Sequence, residues 1–280
     1  MTEPEAKAVS KLPKPRHVLL VPRFTGDAAK RIRRNGPRAG RDEVFEQNWL
    51  WGQQWQAHDP LNRVVLELPF DAPLSTFELG LRIAAATARN GKDILLLTGH
   101  GVAQNGVLSE SAFDTLPERG RMATHRHTIT TQVLDLPTLA DKVNGRWVAK
   151  RGADQRDQQV LVDRLAPRFD VLDRAGAVFQ EHKVRSFIVL SCNVGEDTDF
   201  HTELARRLRV PVKMYQGLLA MSGEIFAGPR EAKVLAWVVP ENEREDPTRS
   251  KPDIRLPDGT FNRTHSQFHN PPPGLRTSPP

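Results

Sequence analysis

Two runs of five almost wholly apolar residues, 94–98 (ILLLT) and 187–191 (FIVLS), constrain the fold of this chain more than any other feature. A strand with one face in water alternates apolar and polar side chains. A run without alternation therefore belongs to a strand covered on both faces, as in parallel sheets packed between helices. Five residues are also far too few to cross a bilayer, and no stretch of eighteen consecutive apolar residues exists. Residues 1–16 (MTEPEAKAVSKLPKPR) lack the apolar run and small-residue cleavage site of a secretory signal. The expectation is a chain with no membrane span, resident in the cytoplasm of the producing cell, with export by a route that needs no cleaved signal left open.

Helical and extended patterns alternate around those two runs. Residues 63–68 (RVVLEL) read as a strand; Ser75 and Glu78 then stand at capping-box spacing before Phe77, Leu81, Ala84, Ala85 and Ala88, and Asn90-Gly91 supplies a stop before residues 94–98. Further on, Phe169, Leu172, Ala175, Val178 and Phe179 mark a helix leading into residues 187–191. Phe200, Leu204 and Leu208 mark another behind Thr198, Pro211 ends it, and residues 212–215 (VKMY) form the next strand. Residues 17–21 (HVLLV) and 233–239 (KVLAWVV) complete six candidate strands. Residues 42–57, with Phe45, Trp49 and Trp55, suit a helix over one edge, although Trp51 and Gly52 weaken that pattern. The fold class is α/β: a mostly parallel central sheet with helices on both faces.

Charge divides the chain differently. Of 40 Lys and Arg and 34 Asp and Glu, residues 1–41 hold eleven basic and three acidic, leaving 29 basic and 31 acidic for the rest. A basic, largely flexible arm (1–41) thus precedes a near-neutral domain (42–239). Residues 240–280 hold nine prolines and few apolar clusters, the composition of an extended or disordered tail. The Lys30-Arg31-Arg33-Arg34 cluster has only Phe24 near it, so no base-stacking platform is present and nucleic acid is disfavoured as a partner.

In parallel α/β sheets, functional groups collect beyond the carboxyl ends of strands. Residues 94–98 run into Gly99-His100-Gly101, and residues 187–191 into Cys192-Asn193-Val194-Gly195. Cys192 is the only cysteine, which excludes an internal disulfide and any multi-cysteine metal site and leaves either a buried small hydrophobe or a reactive thiol. Hydrolysis by a thiolate needs a nearby imidazole and N–H donors for the developing oxyanion, and each has a candidate here.

A buried strand ending in His-Gly, followed by a buried strand ending in a small residue and Cys, resembles the caspase-like cysteine peptidases, a group that includes caspases, legumain, gingipains, self-processing domains of bacterial toxins and bacterial domains related to separase. Residues 94–101 (ILLLTGHG) and 187–195 (FIVLSCNVG) carry the resemblance, residues 199–215 extend it, and roughly 63–220 are covered. It implies a three-layer α/β sandwich, Cys192 as nucleophile, His100 as base or proton donor, and backbone N–H groups of Gly101 and Cys192 as oxyanion hole. It implies a protein or peptide substrate, self-processing as an option, and no metal or organic cofactor. The interval from His100 to Cys192 exceeds that of compact members, which places an insertion at about 109–165, as a lid, a β-hairpin or a loop cut on activation. Glu196, Asp197 and Asp199 either favour a basic residue before the cut bond or serve as helix-dipole partners.

The remaining features read more simply. His125 and His127 lack a third ligand and suit a solvated segment, His201 suits a helix surface, and Trp49, Trp51 and Trp55 suit packing. The alternative of a different class is a catalytically inactive caspase-like module that binds a partner protein through the N-terminal arm or the C-terminal tail.

Overall fold

The computed structural model describes residues 13–23, 41–69, 73–97, 100–102, 107–109, 129, 131–150, 155–190, 198–215, 218–224, 233–239 and 275–280. In chain order the elements are β1 (His17–Arg23), α1 (Arg41–His58), β2 (Arg63–Pro69), α2 (Leu74–Thr87), β3 (Asp93–Leu97), β4 (His100–Val102), β5 (Val107–Ser109), α3 (Thr131–Leu134), α4 (Leu136–Leu139), β6 (Ala140–Val143), β7 (Arg146–Ala149), α5 (Gln155–Glu181), β8 (Ser186–Leu190), α6 (Thr198–Leu208), β9 (Val212–Tyr215), β10 (Leu218–Glu224), β11 (Lys233–Val239) and β12 (Leu275–Ser278). Six of the strands form one sheet in the order β12-β9-β8-β3-β1-β2, parallel throughout except for β12.

The apolar runs are continuous because both faces of the sheet are covered. Val18, Leu20, Ile94, Leu96, Phe187, Val189, Val212 and Met214 face one core, shared with α2, α5 and α6. The alternating residues Leu19, Val21, Leu95, Leu97, Ile188, Leu190 and Tyr215 face the other, shared with Trp51 and Trp55 of α1. One handedness rule explains this division. From β2 onward the chain steps across the sheet in a single direction, through β3 and β8 to β9, so right-handed crossovers put α2, α5 and α6 on the same face. The step from β1 to β2 runs the opposite way and sends α1 to the other face.

The helix of residues 42–57 therefore covers a face, not an edge, and Gly52 is what lets it approach. A Cβ at Gly52 would stand 3.1 Å from Leu19 Cδ2 and 3.3 Å from Val21 Cγ2. Gln56, one turn on, accepts a hydrogen bond from the Val65 N–H at 3.2 Å. That N–H points away from β1 on the outer strand of the sheet, so Gln56 masks part of an edge that would otherwise invite another strand.

Several local expectations change. Ser75 and Glu78 form no capping box: Pro73 is the N-cap, without a side-chain cap bond. Glu78 instead accepts two hydrogen bonds from Arg174 of α5, each 2.8 Å, and one from Arg82, and these hold its pKa low. Residues 233–239 do form a strand, but β11 pairs antiparallel with β10 in a separate ribbon. The sixth place in the sheet goes to β12, inside the proline-rich tail. Backbone pairing along the edge of β9 needs no apolar cluster, and residues 275–278 (LRTS) contain no proline to interrupt it. The sheet begins at His17, inside the segment that charge alone separates as an arm, and β1 lies between β2 and β3.

Residues 131–165, counted in the insertion by their spacing, carry buried side chains. Val133, Leu134, Leu136, Ala140, Ala149, Val162 and Leu165 belong to the larger core. The β6–β7 ribbon is fastened to α5 through Asp170, which accepts from Lys142 Nζ at 2.9 Å and Trp147 Nε1 at 3.0 Å. The Trp147 ring also meets Phe169 edge to face, with centroids 5.1 Å apart.

Helices α5 and α6 approach each other at Gly176, where a Cβ would overlap the Arg207 carbonyl oxygen. At Gly80 the overlapping atom is Leu68 Cδ2, the end of a side chain and not backbone. Alanine favours a helix by about 1 kcal/mol over glycine, but overpacking against rigid backbone costs about 1–3 kcal/mol. Urea denaturation is expected to show Gly176→Ala destabilised by about 2 kcal/mol and Gly80→Ala within about 1 kcal/mol of the parent. Equal midpoints for the two variants would mean that α6 can shift freely on α5.

Candidate functional site

Strands β3 and β8 are neighbours, parallel, and in a register that pairs Leu97 with Leu190. Their last residues thus stand side by side at the carboxyl edge of the sheet, about 4.8 Å apart. His100 is the third residue after Leu97, and Cys192 the second after Leu190. A crevice at a topological switch point is the usual ligand site of open parallel sheets. The strand order reverses at β1, from which the chain steps outward to β2 and back across to β3, so that crevice lies beside β1 and not between β3 and β8.

His100 and Gly101 open β4, which pairs antiparallel with β5 through His100 with Ser109, Gly101 with Leu108 and Val102 with Val107. Cys192 lies outside the described residues, together with Gly99, Asn193, Gly195, Glu196 and Asp197 and the pair His125 and His127. The described structure therefore juxtaposes the strands that lead to His100 and Cys192. Asp199 sits in the first turn of α6, where a carboxylate complements the helix dipole. Tyr215 ends β9 at the same edge, fully buried, and burial raises its phenol pKa well above the ordinary value. It stays protonated at physiological pH.

His201 is not on the surface. It is 0% exposed, and its Nε2 lies 2.9 Å from the Val212 carbonyl oxygen, which ties α6 to the start of β9. His201, Leu204, Ala205 and Leu208 follow the 3, 4, 7 spacing of one buried helical stripe. That spacing is the signal that proximity to Asp199 obscures.

A second polar cluster lies at the opposite, amino edge, and no sequence motif announces it. Asp93, the first residue of β3, accepts from Arg185 Nε at 2.8 Å, from the second Arg185 fork nitrogen, and from Ser186 Oγ at 2.7 Å. The Asp93 N–H donates to His17 Nδ1 at 3.1 Å, so the neutral ring carries its proton on Nε2. Burial works to raise the Asp93 pKa, but the hydrogen bonds from Arg185 and Ser186 and the Arg185 charge outweigh it and hold the carboxyl well below its usual range. The cluster clamps the starts of β1, β3 and β8.

Among the described residues no three His, Cys, Asp or Glu side chains converge in a way that could hold a metal ion, and no helix is long and apolar enough to cross a membrane. Comparison with protein-family models, with curated proteins and with solved structures finds no match to this chain.

Proposed function

We propose that this chain is a caspase-like cysteine peptidase acting through Cys192 and His100. The observation that carries this reading is the pairing of Leu97 with Leu190 on adjacent parallel strands, which sends the two candidate residues' segments out from one edge of one sheet. The mixed sheet with helices on both faces supports the three-layer sandwich that the resemblance implies.

In the proposed reaction the Cys192 thiolate attacks the scissile carbonyl carbon, and the displaced electron pair on oxygen is held by the N–H groups of Gly101 and Cys192. An isolated two-stranded ribbon turns some of its N–H groups away from the partner strand, so pairing with β5 is compatible with donation from β4. The C–N bond breaks as His100 protonates the leaving amine. Water then attacks the thioester, His100 takes up its proton, and the acid product leaves as the C–S bond breaks and restores the Cys192 thiolate beside the protonated imidazole.

The test is the rate of Cys192 alkylation by iodoacetamide as a function of pH, in the parent protein and in His100→Ala. Fast labelling that persists well below pH 8 and slows in the variant is expected for an imidazole-activated thiolate. A thiol that reacts only after denaturation, in the presence and absence of candidate peptides, would overturn the peptidase reading and leave the partner-binding module.

A further inference from the structure

At the amino edge of the sheet, on the face covered by α1, lies a half-open cavity of about 280 Å³. It forms where the starts of β1, β2, β3 and β8 meet the end of α1, and its exposed lining is mostly polar. Three formal cations, Arg63, Lys92 and Arg185, line it against two carboxylates, Asp59 and Asp93. Both carboxylates are engaged. Asp93 is held by Arg185 and Ser186, and Asp59 accepts from Asn62 Nδ2 at 3.0 and 3.1 Å.

Two donors of the lining have no such assignment. The Lys92 ammonium meets no carboxylate among the described residues, and His17 Nδ1 accepts from the Asp93 backbone N–H, which leaves Nε2–H as the ring's one donor. Arg63 donates to the Trp55 carbonyl oxygen at 3.1 Å and lies over the Trp55 ring, 4.9 Å from its centroid. Burial lowers the Arg63 pKa, and Asp59 offsets this only in part, so added negative charge there is favourable.

We propose that this cavity is a binding site for a phosphate group carried on a small polar molecule, with Lys92 and His17 as its principal donors. A tetrahedral oxyanion offers enough acceptor oxygens for an ammonium, an imidazole N–H and the neighbouring guanidinium groups together. The volume exceeds that of the bare ion, and Asp59 and Asn62 provide acceptors for hydroxyl groups on a substituent. The site is independent of the peptidase reading, because it occupies the opposite edge of the sheet from β4.

The test is thermal denaturation of the full chain against inorganic phosphate and, in parallel, glycerol 3-phosphate, with ionic strength held constant by sodium chloride. A saturable rise in Tm is expected, with a half-saturation concentration about tenfold higher in Lys92→Ala, the usual weight of one hydrogen bond to a charged group. Lys92→Gln controls for loss of the side-chain stem, and Lys142→Ala, on the β6–β7 ribbon, should respond like the parent. Tighter binding of glycerol 3-phosphate identifies an ester as the ligand, whereas equal binding identifies the phosphate group alone. Absence of a saturable shift, or one unchanged in both Lys92 variants, overturns the proposal; the latter would place the anion on the basic N-terminal segment.

Discussion

Replacing His100 with alanine lowers kcat for peptide cleavage by about 10²–10⁴-fold if the imidazole protonates the leaving amine, because that is the usual weight of a positioned proton donor. Such a group acts mainly in the transition state, so KM should move by only a few fold. Cys192→Ala removes the proposed nucleophile and should abolish turnover. The combination His100→Ala with Cys192→Ala should be no worse than Cys192→Ala alone, since residues acting as one unit are not additive. The measurement is steady-state cleavage of a peptide library by parent and variants, with circular dichroism melts to show that each remains folded. Unchanged kcat in His100→Ala would remove the residue from the mechanism, and activity surviving in Cys192→Ala would remove the peptidase assignment as a whole. The strand register makes this pair the right one to test, because Leu97 and Leu190 are the last paired residues of β3 and β8 among the described residues.

The fold was legible wherever a pattern reports burial on two faces. The runs around Ile94 and Phe187 reveal central parallel strands, and the spacing of Phe200, Leu204 and Leu208 fixes α6. The misses share a physical cause: each depends on a tertiary neighbour that local sequence does not contain. Glu78 could cap α2 in isolation, but Arg174, 96 residues away, takes both of its oxygens. Gly52 weakens a helix by propensity, yet it is the residue that admits α1 to the Leu19–Val21 surface. The strand at 275–278 is polar and short because an edge strand gains its stability from backbone pairing with β9. Residues 233–239 have the composition of a sheet strand, and only the register with β10 shows that they belong to another ribbon. Of the candidate site, the parent strands could be read from sequence because their apolar runs are continuous. The Asp93 cluster could not, since its members come from three separate strand beginnings and match no motif.

Removing that cluster should have the largest effect on stability. Asp93 is 8% exposed while its partner Arg185 is 58% exposed, so the two ends of the ion pair respond differently to loss of the other. In Asp93→Ala the guanidinium can turn to water, which discounts the penalty for breaking a buried pair. The Ser186 hydroxyl cannot do so. Ser186 is buried, and Asp93 Oδ1 is the acceptor of its hydroxyl proton. The expected loss at pH 7 is therefore about 2–3 kcal/mol, below the full cost of an orphaned buried charge. Asp93→Asn keeps an acceptor for Ser186 and should lose roughly half as much. The pH dependence follows from the direction of the shift. The folded pKa of Asp93 lies below its unfolded value, so the stabilisation is fully present above the unfolded value of about 3.9 and is lost as pH falls toward the folded one. Urea denaturation of parent and Asp93→Ala should show the gap at its widest near pH 7 and narrowing below pH 4, because the parent loses in acid what the variant already lacks. A gap of the same size at both pH values would mean that Asp93 holds β1, β3 and β8 together by packing alone, with its charge contributing nothing.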